Sequence, residues 1–363
     1  MRPQTAGQVP MNYHKLDNIQ ALRGIAALIV LLAHLGGLGG LYPFLPKFPA
    51  GWGVFGVDVF FVISGFIMFY VTRSTWGQGA RFMLSRAARI YPLWWVCLLL
   101  EAPWMLGYLS GKTDEYFAYA AKSFFLFPAL SPSFKLYPPL VPGWTLIYEV
   151  FFYFVFAATM LTPRRFVSLK ILAVFLCALA VGSVLPEKSA LKLFFSNPIY
   201  LEFLFGIASA ELFLAGRLSK RIAVGAALTG VLSVLIISLG PKLTPVQFES
   251  FRFVWFGIPA TCVVLVALWL EVEGFQAGRW LTRLGDASYS IYLTHELPLA
   301  SIPAALAAYG LTGNGTLAIV MIGCSAVACG LATHYVVERP IHRWTTFLLN
   351  WWRPVRHAPP PVQ

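Results

Sequence analysis

Long apolar runs, separated by short polar breaks marked by glycine, proline or arginine, recur along the whole chain. An apolar run of about 18 residues is long enough to cross a bilayer as a helix. Ten spans follow from this pattern: roughly Ile19 to Leu38, Val54 to Val71, Ile90 to Leu109, Trp144 to Leu161, Val167 to Leu185, Ile199 to Ala215, Ile222 to Leu239, Phe253 to Leu270, Ala287 to Tyr309 and Gly315 to Val337. Between the second and third lies a basic stretch, read as a loop, with Arg73, Arg81, Arg86 and Arg89. Residues 111–143 are aromatic and proline-broken, ending Tyr137-Pro-Pro-Leu-Val-Pro-Gly143. They are expected to form an outer loop or a re-entrant segment lining a cavity. The predicted fold class is an all-α polytopic membrane protein, N-in and C-in. It divides into a cytoplasmic segment 1–18, a transmembrane domain 19–345 and a cytoplasmic tail 346–363.

Composition sharpens this picture. The chain is 58% hydrophobic and only 12% charged, against about 25% charged in soluble domains. A soluble domain is thereby excluded. The net charge of +12 would suggest nucleic acid in a soluble protein, but here it reports topology and no nucleic-acid partner is expected. With both termini inside, 19 of the 27 Lys and Arg residues fall on the inner side, mostly as clustered arginines; the other eight are seven lysines and Arg252. That asymmetry follows the positive-inside rule. The first span lacks a cleavage site after a short apolar region, so it reads as a retained helix. Cys97, Cys177, Cys262, Cys324 and Cys329 all lie in apolar runs without ligand spacing. They read as small buried residues, and no metal is expected.

Ionisable groups inside apolar spans are costly and mark candidate functional sites. Arg23 and His34 lie on one face of the first span: eleven residues at 100° leave them about 20° apart and about 16 Å apart along the axis. Asp58 and Glu149 sit near the starts of two spans that enter from outside, so topology places them at the depth of His34. A histidine beside a carboxylate is a general-base pair. The plainer alternatives are a snorkelling Arg23, an N-capping Asp58 and a structural Glu149. Arg86 and Arg89, three apart, share a face suited to phosphate, such as that of an acyl-coenzyme A; lipid headgroups would use the same residues. His295 is expected in the inner half, away from His34, either lining the donor path or packing. Glu338 and His342 read as an interfacial helix end. His334, Glu101, Glu202 and Glu211 read as structural.

Several motifs occur together and in order. They are Arg23-x10-His34, Asp58-x-Phe-Phe-Val-Ile-Ser64-Gly65-Phe66, Arg86-Ala-Ala-Arg89-Ile-Tyr-Pro92, Trp144-Thr-Leu-Ile-Tyr-Glu149, Ser288-Tyr-Ser-Ile-Tyr-Leu-Thr-His295 and Glu338-Arg-Pro340. Over about residues 15–345 the chain resembles the membrane-bound acyltransferase 3 family, the glycan O-acyltransferases, and most of all its short members that acetylate bacterial exopolysaccharides. The resemblance implies a ten-helix enzyme of the cell inner membrane. It would move an acyl group, acetyl by analogy, from cytoplasmic acyl-CoA to a hydroxyl of a surface or exported glycan. It also implies that Arg23 and His34 are essential and that Arg86 and Arg89 hold the donor. The extracytoplasmic esterase-like domain that some relatives carry is not expected here.

The mechanism expected from these readings uses His34, oriented by Asp58 or Glu149, as base for the sugar hydroxyl. Ser64 is expected near the thioester oxygen, and Trp144 and Tyr148 are expected to stack on sugar rings. An acyl-histidine intermediate at His34 stays open, as does the oligomeric state. A proton-coupled transporter is the alternative reading, because intramembrane acids and histidines also suit proton relays; the chain shows neither the repeats nor the broken helices common in transporters. A non-catalytic partner in polysaccharide assembly is a third.

Overall fold

The computed structural model describes residues 15–47, 51–108, 113–131, 135–239 and 250–351. Residues 1–14 of the expected segment 1–18, and residues 352–363 of the expected tail 346–363, with Arg353 and Arg356, lie outside them. No strand occurs among the described residues. A helix satisfies its own backbone groups, which is what hydrocarbon surroundings require. The helices are α1 (Asp17–Leu41), α2 (Phe55–Val71), α3 (Gly79–Tyr108), α4 (Thr113–Phe124), α5 (Gly143–Thr159), α6 (Val167–Val184), α7 (Ala190–Phe195), α8 (Glu202–Leu214) and α9 (Lys220–Leu239). They continue as α10 (Arg252–Trp255), α11 (Gly257–Val272), α12 (Arg279–Asp286), α13 (Ser288–Thr294), α14 (Glu296–Ala308), α15 (Gly315–Thr333), a π turn His334–Glu338 and α16 (Arg339–Trp351).

Among the described residues, seven helical stretches are long and apolar enough to cross a membrane: Asp17–Leu41, Phe55–Ser74, Val167–Val184, Ala190–Leu214, Lys220–Leu239, Arg252–Val272 and Gly315–Leu348. The other three apolar segments fall on α3, α5 and the α13–α14 pair. The centre of the bundle is α2, whose side chains are apolar except for Asp58 and Ser64 and which is mostly buried. It packs against α8, α1 and α11. Small residues allow that approach: a Cβ on Gly65 would strike the Phe203 carbonyl, and one on Gly206 would strike the Val62 carbonyl. Without a hydrophobic drive between helices in lipid, such close backbone packing is what holds them. Gly24 and Gly285 do the same between α1 and α12.

Three local features depart from the sequence pattern. The basic stretch before the third span is helical: α3 starts at Gly79, so Arg81, Arg86 and Arg89 ride on it. Hydropathy marks where lipid begins, and the helix simply extends past that point. The proline-broken segment begins as a helix, α4, and doubles back along α3. Tyr91, Trp94 and Trp95, midway along α3, donate hydrogen bonds of 2.9–3.1 Å to the carbonyls of Phe125, Ser123 and Phe124. Of the two alternatives, then, this segment enters the bundle. Contrary to the expectation of unbroken helices, the ninth span is split at His295. Pro298 lacks the N–H that the Thr294 carbonyl would accept, which interrupts the helix there. Pro259 does the same to Trp255 between α10 and α11.

Candidate active site

A cavity of about 710 Å³ lies between α1, α2, α3, α5, α13 and α16. Its axis can be followed along the helices. At one end stand Arg339, His342 and Arg343; next come Arg23, Arg86 and Arg89. Halfway up, Glu149 accepts hydrogen bonds from the Ser64 hydroxyl at 2.9 Å and the Tyr153 hydroxyl at 2.5 Å. The far end is apolar, with Val57, Phe60 and Phe61 on one wall and Thr145 and Tyr292 on the other. There the Tyr292 hydroxyl donates to the Pro142 carbonyl at 3.1 Å and lies 2.9 Å from the Thr145 hydroxyl. The expected donor residues Arg23, Arg86, Arg89 and Ser64 therefore share one chamber.

Beyond Tyr292 sits a second group. The His295 ring lies 6.0 Å from the Tyr292 ring and 4.7 Å from the His34 ring. His34 Nδ1 is 2.9 Å from the Val30 carbonyl, and His295 Nδ1 is 2.7 Å from the Tyr292 carbonyl. A carbonyl only accepts, so both Nδ1 atoms carry hydrogen in the neutral rings and both Nε2 atoms carry lone pairs. Both Nε2 atoms face Glu296 Oε1, at 3.4 Å from His34 and 3.7 Å from His295. His295 is buried, while His34 is 36% and Glu296 26% exposed. The ligand-capable atoms of the three lie within 4.8 Å of one another, a set whose types also suit a zinc ion.

The structure does not gather His34 with Asp58 and Glu149. Asp58, fully buried, takes two hydrogen bonds of 2.9 Å from the Arg252 guanidinium, whose side chain is 5% exposed. Glu149 lies in the cavity with the arginines, because α5 starts inside the bundle: a Cβ on Gly143 would strike the Trp94 ring, midway along α3. His295 does not lie away from His34, since Ala287 already packs beside Ala27. Seven or eight residues further along each helix bring His34 and His295 level. The Ser64 hydrogen is committed to Glu149. Tyr148 is core, stacked 4.8 Å from Phe194, with no face for a sugar; half-buried Trp144 lies under Arg252 instead. His334 and Glu338, read from sequence as structural or interfacial, line the cavity. The sequence marks Glu296 only as the neighbour of His295 in a stripe with Tyr289 and Tyr292, with no catalytic role.

A profile of the acyltransferase 3 family, described as an acyltransferase domain, matches residues 16–335. The chain belongs to the acyltransferase 3 family. It is 35% identical over 294 residues to the exopolysaccharide production protein ExoZ of Rhizobium meliloti (strain 1021), covering 80% of this chain and 90% of that one. It is 26% identical over 348 residues to the acyltransferase MdmB of Streptomyces mycarofaciens, covering 85% of each. It is 25% identical over 320 residues to the putative peptidoglycan O-acetyltransferase YrhL of Bacillus subtilis (strain 168), covering 78% of this chain and 49% of that one. No solved structure gives a significant match. As an acyltransferase 3 protein with these relatives and these apolar helices, the chain is a membrane O-acyltransferase.

Proposed function

We propose that the enzyme takes an acyl group, acetyl in the simplest case, from acyl-CoA in the cytoplasm. It delivers the group to a hydroxyl of a surface or exported glycan. The observation that carries this reading is the adjacency of an arginine-ended cavity and a His–His–Glu group across Tyr292. The arginine end faces the cytoplasm, and both termini lie there with it. Arg86 and Arg89, with Arg23 and the outlying Arg339 and Arg343, hold the phosphates. The thin arm of the cofactor runs past Glu149 and Tyr153, and the thioester rests at the apolar end beside Thr145 and Tyr292. The Arg23–His34 separation on an unbroken α1, about 16 Å, matches the run of such an arm.

His34 is the general base. Its Nε2 takes the proton of the glycan hydroxyl while the oxygen attacks the thioester carbonyl. The carbon–sulfur bond breaks, and the departing thiolate takes the proton back from the imidazolium. The Val30 carbonyl holds the tautomer, and Glu296, at the same nitrogen that receives the proton, stabilises the imidazolium. The exposure of His34 and Glu296 gives the acceptor its approach, and Tyr292 separates it from the donor until the acyl end is seated. The name of the ExoZ relative favours an exopolysaccharide as acceptor.

Binding of coenzyme A to the purified full chain in nanodiscs tests the donor half of this reading. The double variant Arg86→Gln/Arg89→Gln should bind about 100-fold more weakly, as loss of two charge-assisted contacts implies. A wild-type protein that shows no coenzyme A binding, or a double variant that binds like wild type, contradicts it.

A further inference from the structure

The π turn His334–Glu338 takes no part in the chemistry above. Such turns interrupt the regular bonding of a helix and recur at functional sites. Here Glu338 Oε2 accepts from the Ser290 hydroxyl at 2.6 Å and lies 2.7 Å from His334 Nδ1, with Arg89 3.8 Å from Oε1. A carboxylate accepts, so Nδ1 of His334 carries the hydrogen and Nε2 carries a lone pair. That Nε2 is buried and has no partner among the described residues. The Ser288 hydroxyl, fully buried, has none either. Both side chains line the cavity. Its other small polar groups are committed: Ser64 and Tyr153 to Glu149, Thr145 to Tyr292, Ser290 to Glu338. Two unpartnered buried atoms on one wall are costly unless a ligand satisfies them.

We propose that Ser288 and His334 form the subsite for the donor's nucleotide base, reading the amino-bearing edge of an adenine. This rests on the reading that the cavity holds acyl-CoA. A lone pair on Nε2 repels phosphate oxygens and takes an N–H, and the serine hydroxyl serves a neighbouring ring nitrogen. Glu338 ties this wall to the arginines: it holds His334 and Ser290, two residues after Ser288, and lies 3.8 Å from Arg89. Tyr289, held by its hydroxyl on the Ile90 carbonyl at 2.8 Å, lines the same wall. The Ser288-Tyr-Ser290 and Glu338-Arg-Pro340 motifs thus meet at one job.

Calorimetry on the full chain in nanodiscs, with three probes, tests this. The probes are coenzyme A, its hypoxanthine analogue, which lacks the amino group, and phosphopantetheine, which lacks the nucleotide. Wild type should prefer coenzyme A to the hypoxanthine analogue by about tenfold, the size of one buried hydrogen bond. His334→Phe should lose that preference and bind coenzyme A about tenfold more weakly, and His334→Gln, which offers an oxygen acceptor, should recover part. Ser288→Ala should weaken coenzyme A about threefold to tenfold in a chain that only loses one hydroxyl. Phosphopantetheine should bind all four proteins alike. A preference retained in His334→Phe and Ser288→Ala, or an equal loss for phosphopantetheine, overturns the subsite alone. Absence of any coenzyme A binding to wild type removes the donor reading and the subsite together.

Discussion

Two histidine–glutamate pairs occupy opposite ends of the same path, and they are wired in opposite senses. In His334–Glu338 the carboxylate sits on Nδ1 at 2.7 Å, with both side chains more than nine-tenths buried. Its hydrogen is fixed, and Nε2 is left as a permanent acceptor. In His34–Glu296 a backbone carbonyl holds Nδ1, and the carboxylate faces Nε2 at 3.4 Å. There the nitrogen that can gain a proton is the one beside the carboxylate, on a side chain 36% exposed. In the proposed mechanism the same two residue types serve recognition at one end and proton transfer at the other. Which ring nitrogen meets the carboxylate decides the role.

The contrast can be broken most sharply at His34. His34→Ala should lower acyl transfer about 10³-fold, the size of a lost general base, while coenzyme A affinity stays as in wild type. Asp58 is the control, a third buried acid that serves neither role. Asp58→Ala removes both carboxylate hydrogen bonds of the buried Arg252 guanidinium and should cost about 3–5 kcal/mol of stability, read by denaturant unfolding in detergent, with transfer per folded molecule retained. Glu296→Gln keeps the shape and removes the charge that stabilises the imidazolium. It should lower kcat about 10–100-fold, less than the 10²–10⁴-fold of a lost base itself, leaving donor KM unchanged. Glu338→Gln should do the reverse and least: a rise in donor KM of about threefold with kcat unchanged. A kcat effect at Glu338 or a KM effect at Glu296 would erase the distinction between the pairs.

The apolar spans, the arginine cluster and His34 were legible in the sequence, because hydropathy and charge report depth directly. The partner of His34 was not. Depth alone offered Asp58 and Glu149, and each was displaced by a fact that hydropathy does not encode. Asp58 is claimed by Arg252, which the sequence shows only as one of the scattered outer charges. Glu149 is carried inward because the segment before α5 folds back against Trp94 and Trp95. His295 is carried outward because α12, packed on α1 through Gly24 and Gly285, sets the start of α13 already level with Ala27. Helices that begin inside the bundle shift every residue after them, and no periodicity announces where they begin. Tyr148 shows the same gap in rotation: its motif was visible, but its face was core.

The central claim is that His34 carries the proton between acceptor and donor. The most direct test is the acyl content of the cell's surface polysaccharide, read by proton NMR in a deletion strain carrying either wild type or His34→Ala at equal protein level. The account predicts acyl signals with wild type and none with His34→Ala, although the variant protein still binds coenzyme A. Full acylation in cells that carry only His34→Ala would contradict it.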